Sequence, residues 1–288
     1  MRRLRRRLGR AVRRLLEVIA PRLAARVVRR RLLREPVGLA MRHEPELRLL
    51  PDLVRSNAFA VDVGGNLGKY TVVLSGLCGP SRVVCFEPLP MYERQLRRLF
   101  PDASIVRTAL SSSEGRRTLW TPLVSGVPMP GRSTVEPNVQ ERQQTGVQGI
   151  DVAVTTLDAY AAGHDLAPIG FVKIDVEGHE LEVLRGANEV LERQRPRLLI
   201  EAEQRHHSYP LQRVFDEVLR HGYAGYFVDM RERTVRPLTA FDHPVHQVLA
   251  NHRTRLYVAN FIFVPEEEAE TLRPALQQRL LRATWEGD

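Results

Sequence analysis

Apolar positions along this chain fall into short blocks whose period alternates between runs and a helical repeat. "AFAVDVG" (58–64), "RVVCFEP" (82–88), "SIVRTALS" (104–111), "IGFVKIDV" (169–176) and "RLLIEAE" (197–203) are compact apolar runs bounded by turn or acidic residues, which predicts strands. Between them, "EPELRLLPDLV" (44–54), "NLGKYTVVLSGLCG" (66–79), "MYERQLRRLFP" (91–101), "HELEVLRGANEVLERQR" (179–195) and "YPLQRVFDEVLRHG" (209–222) space their apolar residues as helices do. "RRTLW" and "VAVTTL" read as two further short strands, and "YAGYFVDMRERTVRPL" with "ANFIFVP" as antiparallel strand pairs. Strands alternating with helices predict an α/β, doubly wound, mostly parallel sheet covered on both faces. No internal repeat interrupts this order.

Two segments depart from the pattern. Residues 121–149 mix prolines, glycines and polar groups with little periodicity, and are expected to form a substrate-facing loop. Residues 1–40 form a basic extension. Within it, residues 1–34 hold 14 arginines and one acid, Glu17, for a charge of +13. The whole chain carries +9, so the body is mildly acidic at −4. Leu4, Leu8, Val12, Leu15, Leu16 and Ile19 recur at helical spacing before Pro21 breaks the run, and Leu23, Val27, Val28 and Leu32 follow. A basic amphipathic helix suits an anionic membrane face or a partner protein; the alternative is a loosely held tail or a helix packed on the body. Nucleic acid is disfavoured, because the body is acidic and no aromatics interleave with the arginines. No apolar run reaches the ~18 residues of a spanning helix, and "LLEVIAP" is too short for a secretory signal. Cys78 and Cys85 are too few for a disulfide scaffold, so the chain is expected to be cytoplasmic, peripheral at the inner membrane face if the arm engages lipid. The body is expected over 41–265, with a helical tail over 266–288.

The first candidate site is "VDVGGNLGKY" (61–70). Glycines after a strand and before a helix let a ligand approach the backbone and the free N–H groups of the helix start. A P-loop fails, because Lys69 is followed by Tyr70 and Val63 stands where its first glycine belongs. The dinucleotide fingerprint fails at Asn66. What remains is D-x-G-x-N-x-G, with Asp62 two residues before Gly64. A carboxylate there repels pyrophosphate but accepts hydrogen bonds from a cationic or amino-bearing ligand, and S-adenosylmethionine carries both a sulfonium and an ammonium. Glu87, at the end of the next predicted strand and 25 residues after Asp62, is placed to take ribose hydroxyls.

The second site is "FVKIDVEGHELEVLRGANEVL" (171–191). Asp175 and Glu177, two apart at a strand end, should point the same way by the period of a strand. They can act as a general base, bond an acceptor hydroxyl or help hold a divalent cation, or one of them can simply cap the helix. In "LLIEAEQRHH", His206 and His207 follow Glu201 and Glu203. His206 is a candidate proton acceptor, against the plainer reading of a solvated loop. The pair lacks zinc-ligand spacing.

These pieces resemble the FkbM-type S-adenosylmethionine-dependent methyltransferases. "VDVGGNLGKYT", "VVCFEPLP", "TALSSSEGRRTL", "STV", "TTLDAY", "FVKIDVEGHELEVLRGA", "RPRLLIEAE", "HGYAGYFV" and "NFIFVP" occur in the family's order over roughly 45–265. The resemblance implies a class I, Rossmann-like methyltransferase fold with a seven-stranded sheet. It also implies O-methylation of a sugar, glycolipid or polyketide-type hydroxyl. By position it assigns Asp62, Gly64, Asn66 and Gly68 to the methionine part of the cofactor, Glu87 to the ribose, and Ala109 to Ser111 to the adenine. Asp175 and Glu177 would face the acceptor or cofactor, and magnesium at Asp175 stays open. Gly65 stands where the family often has alanine. A scaffold that kept the fold without the chemistry, and a nicotinamide-dependent oxidoreductase, are the alternative readings.

Overall fold

The computed structural model describes residues 44–136, 144–252 and 254–283, so the arginine-rich arm lies outside the described residues. The strands are β1 (Phe59–Val63), β2 (Val83–Phe86), β3 (Ser104–Val106), β4 (Ala109–Leu110), β5 (Gly115–Val124), β6 (Val127–Pro128), β7 (Gln144–Thr155), β8 (Ile169–Ile174), β9 (Arg197–Glu201), β10 (Tyr223–Asp229), β11 (Thr234–Pro237) and β12 (Asn260–Pro265). The main helices are α1 (Lys69–Cys78), α2 (Pro90–Leu99), α3 (Leu157–Gly163), α4 (Glu180–Arg185), α5 (Gln212–Leu219) and α6 (Glu266–Arg282).

The large sheet runs β11-β10-β12-β9-β8-β1-β2-β3. Its β9-β8-β1-β2-β3 portion is parallel, and β12 and β11 enter antiparallel. The sheet has eight strands where the resemblance implied seven; β11 is the return arm of a hairpin with β10. β8 is buried at every position, as expected of a strand with helices over both faces. One core gathers apolar residues of α3, α4 and α5, such as Leu157, Leu184 and Phe215. On the opposite face Leu74 of α1 and Leu272, Leu276 and Leu280 of α6 pack with Leu47, Leu50 and Leu53.

Three expected elements come out differently. "SIVRTALS" divides between two sheets: β3 pairs with β2, whereas β4 joins a second sheet of order β4-β7-β5-β6. The stretch expected as a loop over 121–149 contributes the ends of β5 and β7, an antiparallel pair running from Gly115↔Val154 to Val124↔Gln144. Its low periodicity reflects the β7 part, where none of residues 144–151 is fully buried to impose alternation, although Thr121 and Pro122 of β5 are buried. The long helix over 179–195 stops after Arg185. Gly186 there approaches the Ser111 carbonyl so closely that an added Cβ would lie 2.0 Å from its oxygen, and helical structure resumes at Asn188, passing into a π-helix over Val190–Gln194.

Candidate active site

The cleft opens where the order of the large sheet reverses beside β1, the position at which doubly wound sheets bind ligands. Two turns meet there. Gly64, just past β1, has φ +88, and an added Cβ would fall 1.9 Å from the Asp175 carbonyl oxygen beyond β8. Only glycine permits both that dihedral and that approach. The Gly64 and Gly65 amides then donate to the Phe86 carbonyl, 2.9 and 3.1 Å, clamping the turn to β2.

Glu87 completes this corner. Its Oε2 accepts from the Asn66 amide at 2.7 Å and its Oε1 from the Leu89 amide at 2.8 Å. Burial nevertheless pushes its carboxyl up to about 7, since the two amides offset only part of the desolvation. An open cleft lies against this corner. Leu89, Tyr92, Ala109 and Leu119 make an apolar wall, and Glu87, Asp175 and Glu177 supply carboxylates. Such a site suits a ligand with a flat apolar ring, vicinal hydroxyls and positive charge.

Of the residues singled out in the sequence, Gly64, Asn66, Glu87, Ala109, Asp175 and Glu177 line one cleft. Asp62, Gly68, Ser111 and His206 lie behind its wall. Asp62 is 1% exposed beneath the turn, where it accepts from Thr71 Oγ1 at 2.5 Å. Burial there pushes its carboxyl up to about 6, against the pull of Thr71 and Lys173. Gly68 (φ +86) caps α1 and packs against Phe100 and Leu96. Lys69 donates to both carboxylate oxygens of Glu44, 2.6 and 2.7 Å away.

Asp175 and Glu177 share the cleft for a reason other than strand alternation. β8 ends at Ile174, and Glu177 sits in a turn at φ +54 ahead of Gly178. Burial, with Asp175 and Glu201 close by, raises the Glu177 carboxyl well above the ordinary range. Glu201, at the end of β9, is raised likewise by burial and Asp175, with buried Lys173 opposing. The turn is joined to the β9 end by two acid–histidine pairs: His206 Nδ1 lies 3.3 Å from Glu177 Oε2, and His207 Nε2 lies 3.1 Å from Glu180 Oε2. His207 is thus structural, buried with Glu180. Among the described residues no three His, Cys, Asp or Glu side chains are grouped as a metal-holding cluster.

Sequence reasoning missed His179, which lines the cleft; Pro130, Gly131, Ser133, Thr134 and Val135, within the stretch expected to face the substrate, line it too. His179, expected only to open a helix, has Nδ1 2.5 Å from Glu136 Oε1 and Nε2 3.0 Å from Ser111 Oγ. Its place beside two acids in "DVEGHE" was the one available signal.

The methyltransferase FkbM domain family matches residues 62–225. "Methyltransferase sdnD" of Sordaria araneosa is 30% identical over a match covering 46% of this chain and 62% of that protein. "Methyltransferase 1" of Beauveria bassiana (strain ARSEF 2860) is 27% identical, covering 46% of this chain and 59% of its own. The match therefore spans about three fifths of each relative's length. A crystal structure of methyltransferase FkbM from Methylobacillus flagellatus KT superposes with TM-score 0.45 at 18% identity, covering 73% of this chain and 45% of that one.

Proposed function

This chain belongs to the FkbM methyltransferase family, and from that premise we propose that it is an S-adenosylmethionine-dependent O-methyltransferase. The proposed acceptor is a hydroxyl of a sugar, glycolipid or polyketide-type molecule. The observation that carries the reading is Glu87, oriented by two backbone amides beside an apolar wall, with Asp175 and Glu177 in the same cleft. Glu87 would accept from the ribose hydroxyls, while Leu89, Tyr92 and Ala109 would flank the adenine. The Gly64 turn and Asn66 would hold the methionine part. Bound there, S-adenosylmethionine supplies a methyl group on a positively charged sulfur.

The protein's task in such a transfer is mainly positioning: acceptor oxygen, methyl carbon and sulfur must be in line. Asp175 would orient the acceptor hydroxyl. Glu177, paired with His206, would take its proton as the new bond forms. The acidic mouth also favours a cationic donor over an anionic nucleotide.

Isothermal titration tests the reading. The full chain should bind S-adenosylmethionine, and Glu87→Ala should weaken that binding about 100-fold, the loss expected for two hydrogen bonds to a charged group. NAD should not compete. Absence of binding would favour a scaffold, and competition by NAD an oxidoreductase; either refutes the proposal. The +13 charge of residues 1–34 supports a further contact with an anionic membrane surface. Liposome flotation of full-length and arm-deleted protein checks it, and equal recovery of the two would end it.

A further inference from the structure

Burial along residues 244–250 runs against residue type. In "PVHQVLA" the polar His246 and Gln247 are buried, whereas Val245, Val248 and Leu249 are 48%, 39% and 58% exposed. A single exposed apolar residue is ordinary, but three within five positions over a buried polar pair form a patch. The polar pair holds the backbone in this inverted arrangement. Gln247 Nε2 donates to the carbonyls of Ala202 and Val258 at 2.9 and 3.0 Å, and its Oε1 accepts from the Gln204 amide at 2.9 Å. His246 Nε2 lies 3.5 Å from Oδ2 of buried Asp229, and Arg231 Nη2 donates to the Val245 carbonyl at 2.6 Å. The apolar side chains are thus turned outward by a segment pinned to the ends of β9, β10 and β12.

That is the end of the sheet at which the cleft opens. Two more exposed apolar residues stand there: Leu67, next to Asn66 in the turn after β1, and Met91, next to Tyr92 at the start of α2. Glu44 is fastened to the same end, to Lys69 and to the Tyr70 hydroxyl at 2.9 Å, both in the first turn of α1. Residues 1–43, with the +13 charge of residues 1–34, therefore join the body beside the cleft mouth. Arginines are drawn to anionic headgroups, while exposed apolar tips gain by entering the acyl boundary. A bilayer is one surface that matches both features at once.

We propose that Val245, Val248 and Leu249 enter an anionic lipid surface, to which the positive charge of residues 1–34 is also drawn, so that the cleft mouth faces the bilayer. Combined with the methyltransferase reading, on which this last step rests, the orientation narrows the acceptor to a hydroxyl carried on a membrane lipid.

Leu249→Trp reports the contact at an exposed position that makes none of the side-chain bonds above. With the full chain on phosphatidylcholine–phosphatidylglycerol vesicles, bromine on the acyl chains should quench its fluorescence beyond the wild-type level, for which Trp120 and Trp285 set the baseline. Separately, Val248→Ser combined with Leu249→Ser should lower vesicle partitioning roughly tenfold at an unchanged melting temperature, since apolar area is lost while the charge is kept. If the melting temperature of that double variant falls, the quenching alone decides. Vesicle binding without added quenching, or partitioning of a stable double variant within about twofold of wild type, would overturn the proposal. So would absence of vesicle binding. No cofactor takes part in these measurements, so failure to bind S-adenosylmethionine would remove the acceptor assignment and leave the lipid contact standing.

Discussion

Asp62→Asn isolates the cost of a charge sealed beneath the cleft floor. The side chain is 1% exposed, and burial lifts its carboxyl from 3.8 to about 6. A folded-state pKa above the unfolded one means that folding favours the protonated acid. That stability is fully present below 3.8 and is lost as pH rises through 6. The gap of about two units, at 1.36 kcal/mol each, is worth up to about 3 kcal/mol. Asparagine keeps the shape, and the Thr71 hydroxyl can pair with either atom of its amide. Urea unfolding of both proteins between pH 4 and 8 supplies the difference curve, in which titrations common to both cancel. The variant should match the wild type at the acid end and exceed it by up to about 3 kcal/mol above pH 6. A flat curve would mean that Asp62 ionises like an exposed carboxylate, and the placement of this residue under the turn would be wrong. A curve of opposite slope would mean that Lys173 outweighs burial.

Other consequences follow from the same geometry. Gly64→Ala, facing both a positive φ and the Asp175 carbonyl, should cost roughly 3 kcal/mol or more in chemical denaturation, from backbone strain plus overpacking. Glu201→Gln removes a negative charge that holds up the Glu177 carboxyl; the acid limb of the pH profile of kcat/KM should move to lower pH, and an unmoved limb would remove Glu177 from proton transfer. Glu180→Gln breaks the buried pair with His207, which lowers the Glu180 carboxyl. It should cost about 3 kcal/mol at neutral pH, a deficit that shrinks as acid protonates the wild-type carboxylate. Equal deficits at pH 7 and pH 3 by urea unfolding would contradict that pairing.

The two acid-rich turns were visible as strings of letters because their signals are local. A run such as "FAVDV" must be a buried strand whatever surrounds it, and the glycine at 64 must mark a turn. That the 62–68 and 175–180 segments share one crevice was expected from their places at strand ends; the order β8-β1-β2 that brings them together belongs to the folded sheet. The seventh-to-eighth strand discrepancy is minor: β11 is short and pairs only with β10. The ribbon over 115–155 is more instructive: its inner ends, with Leu119, Val152 and Val154 buried, were read as strands, whereas residues 144–151, none of them fully buried, wrote no pattern into the chain.

Local periodicity and backbone sterics thus specified a parallel α/β sheet with acids and a glycine turn at its strand ends. Which acid faces the cleft was decided in three dimensions: Glu87 is aimed by amides from two turns, whereas Asp62, on the neighbouring strand, is turned under to Thr71. The same holds for His179, which becomes part of the site only because Ser111 and Glu136 arrive from 68 and 43 residues away. Burial and hydrogen-bond partnership belong to the assembled packing. They depend on register and on contacts across the chain, to which spacing along it is blind.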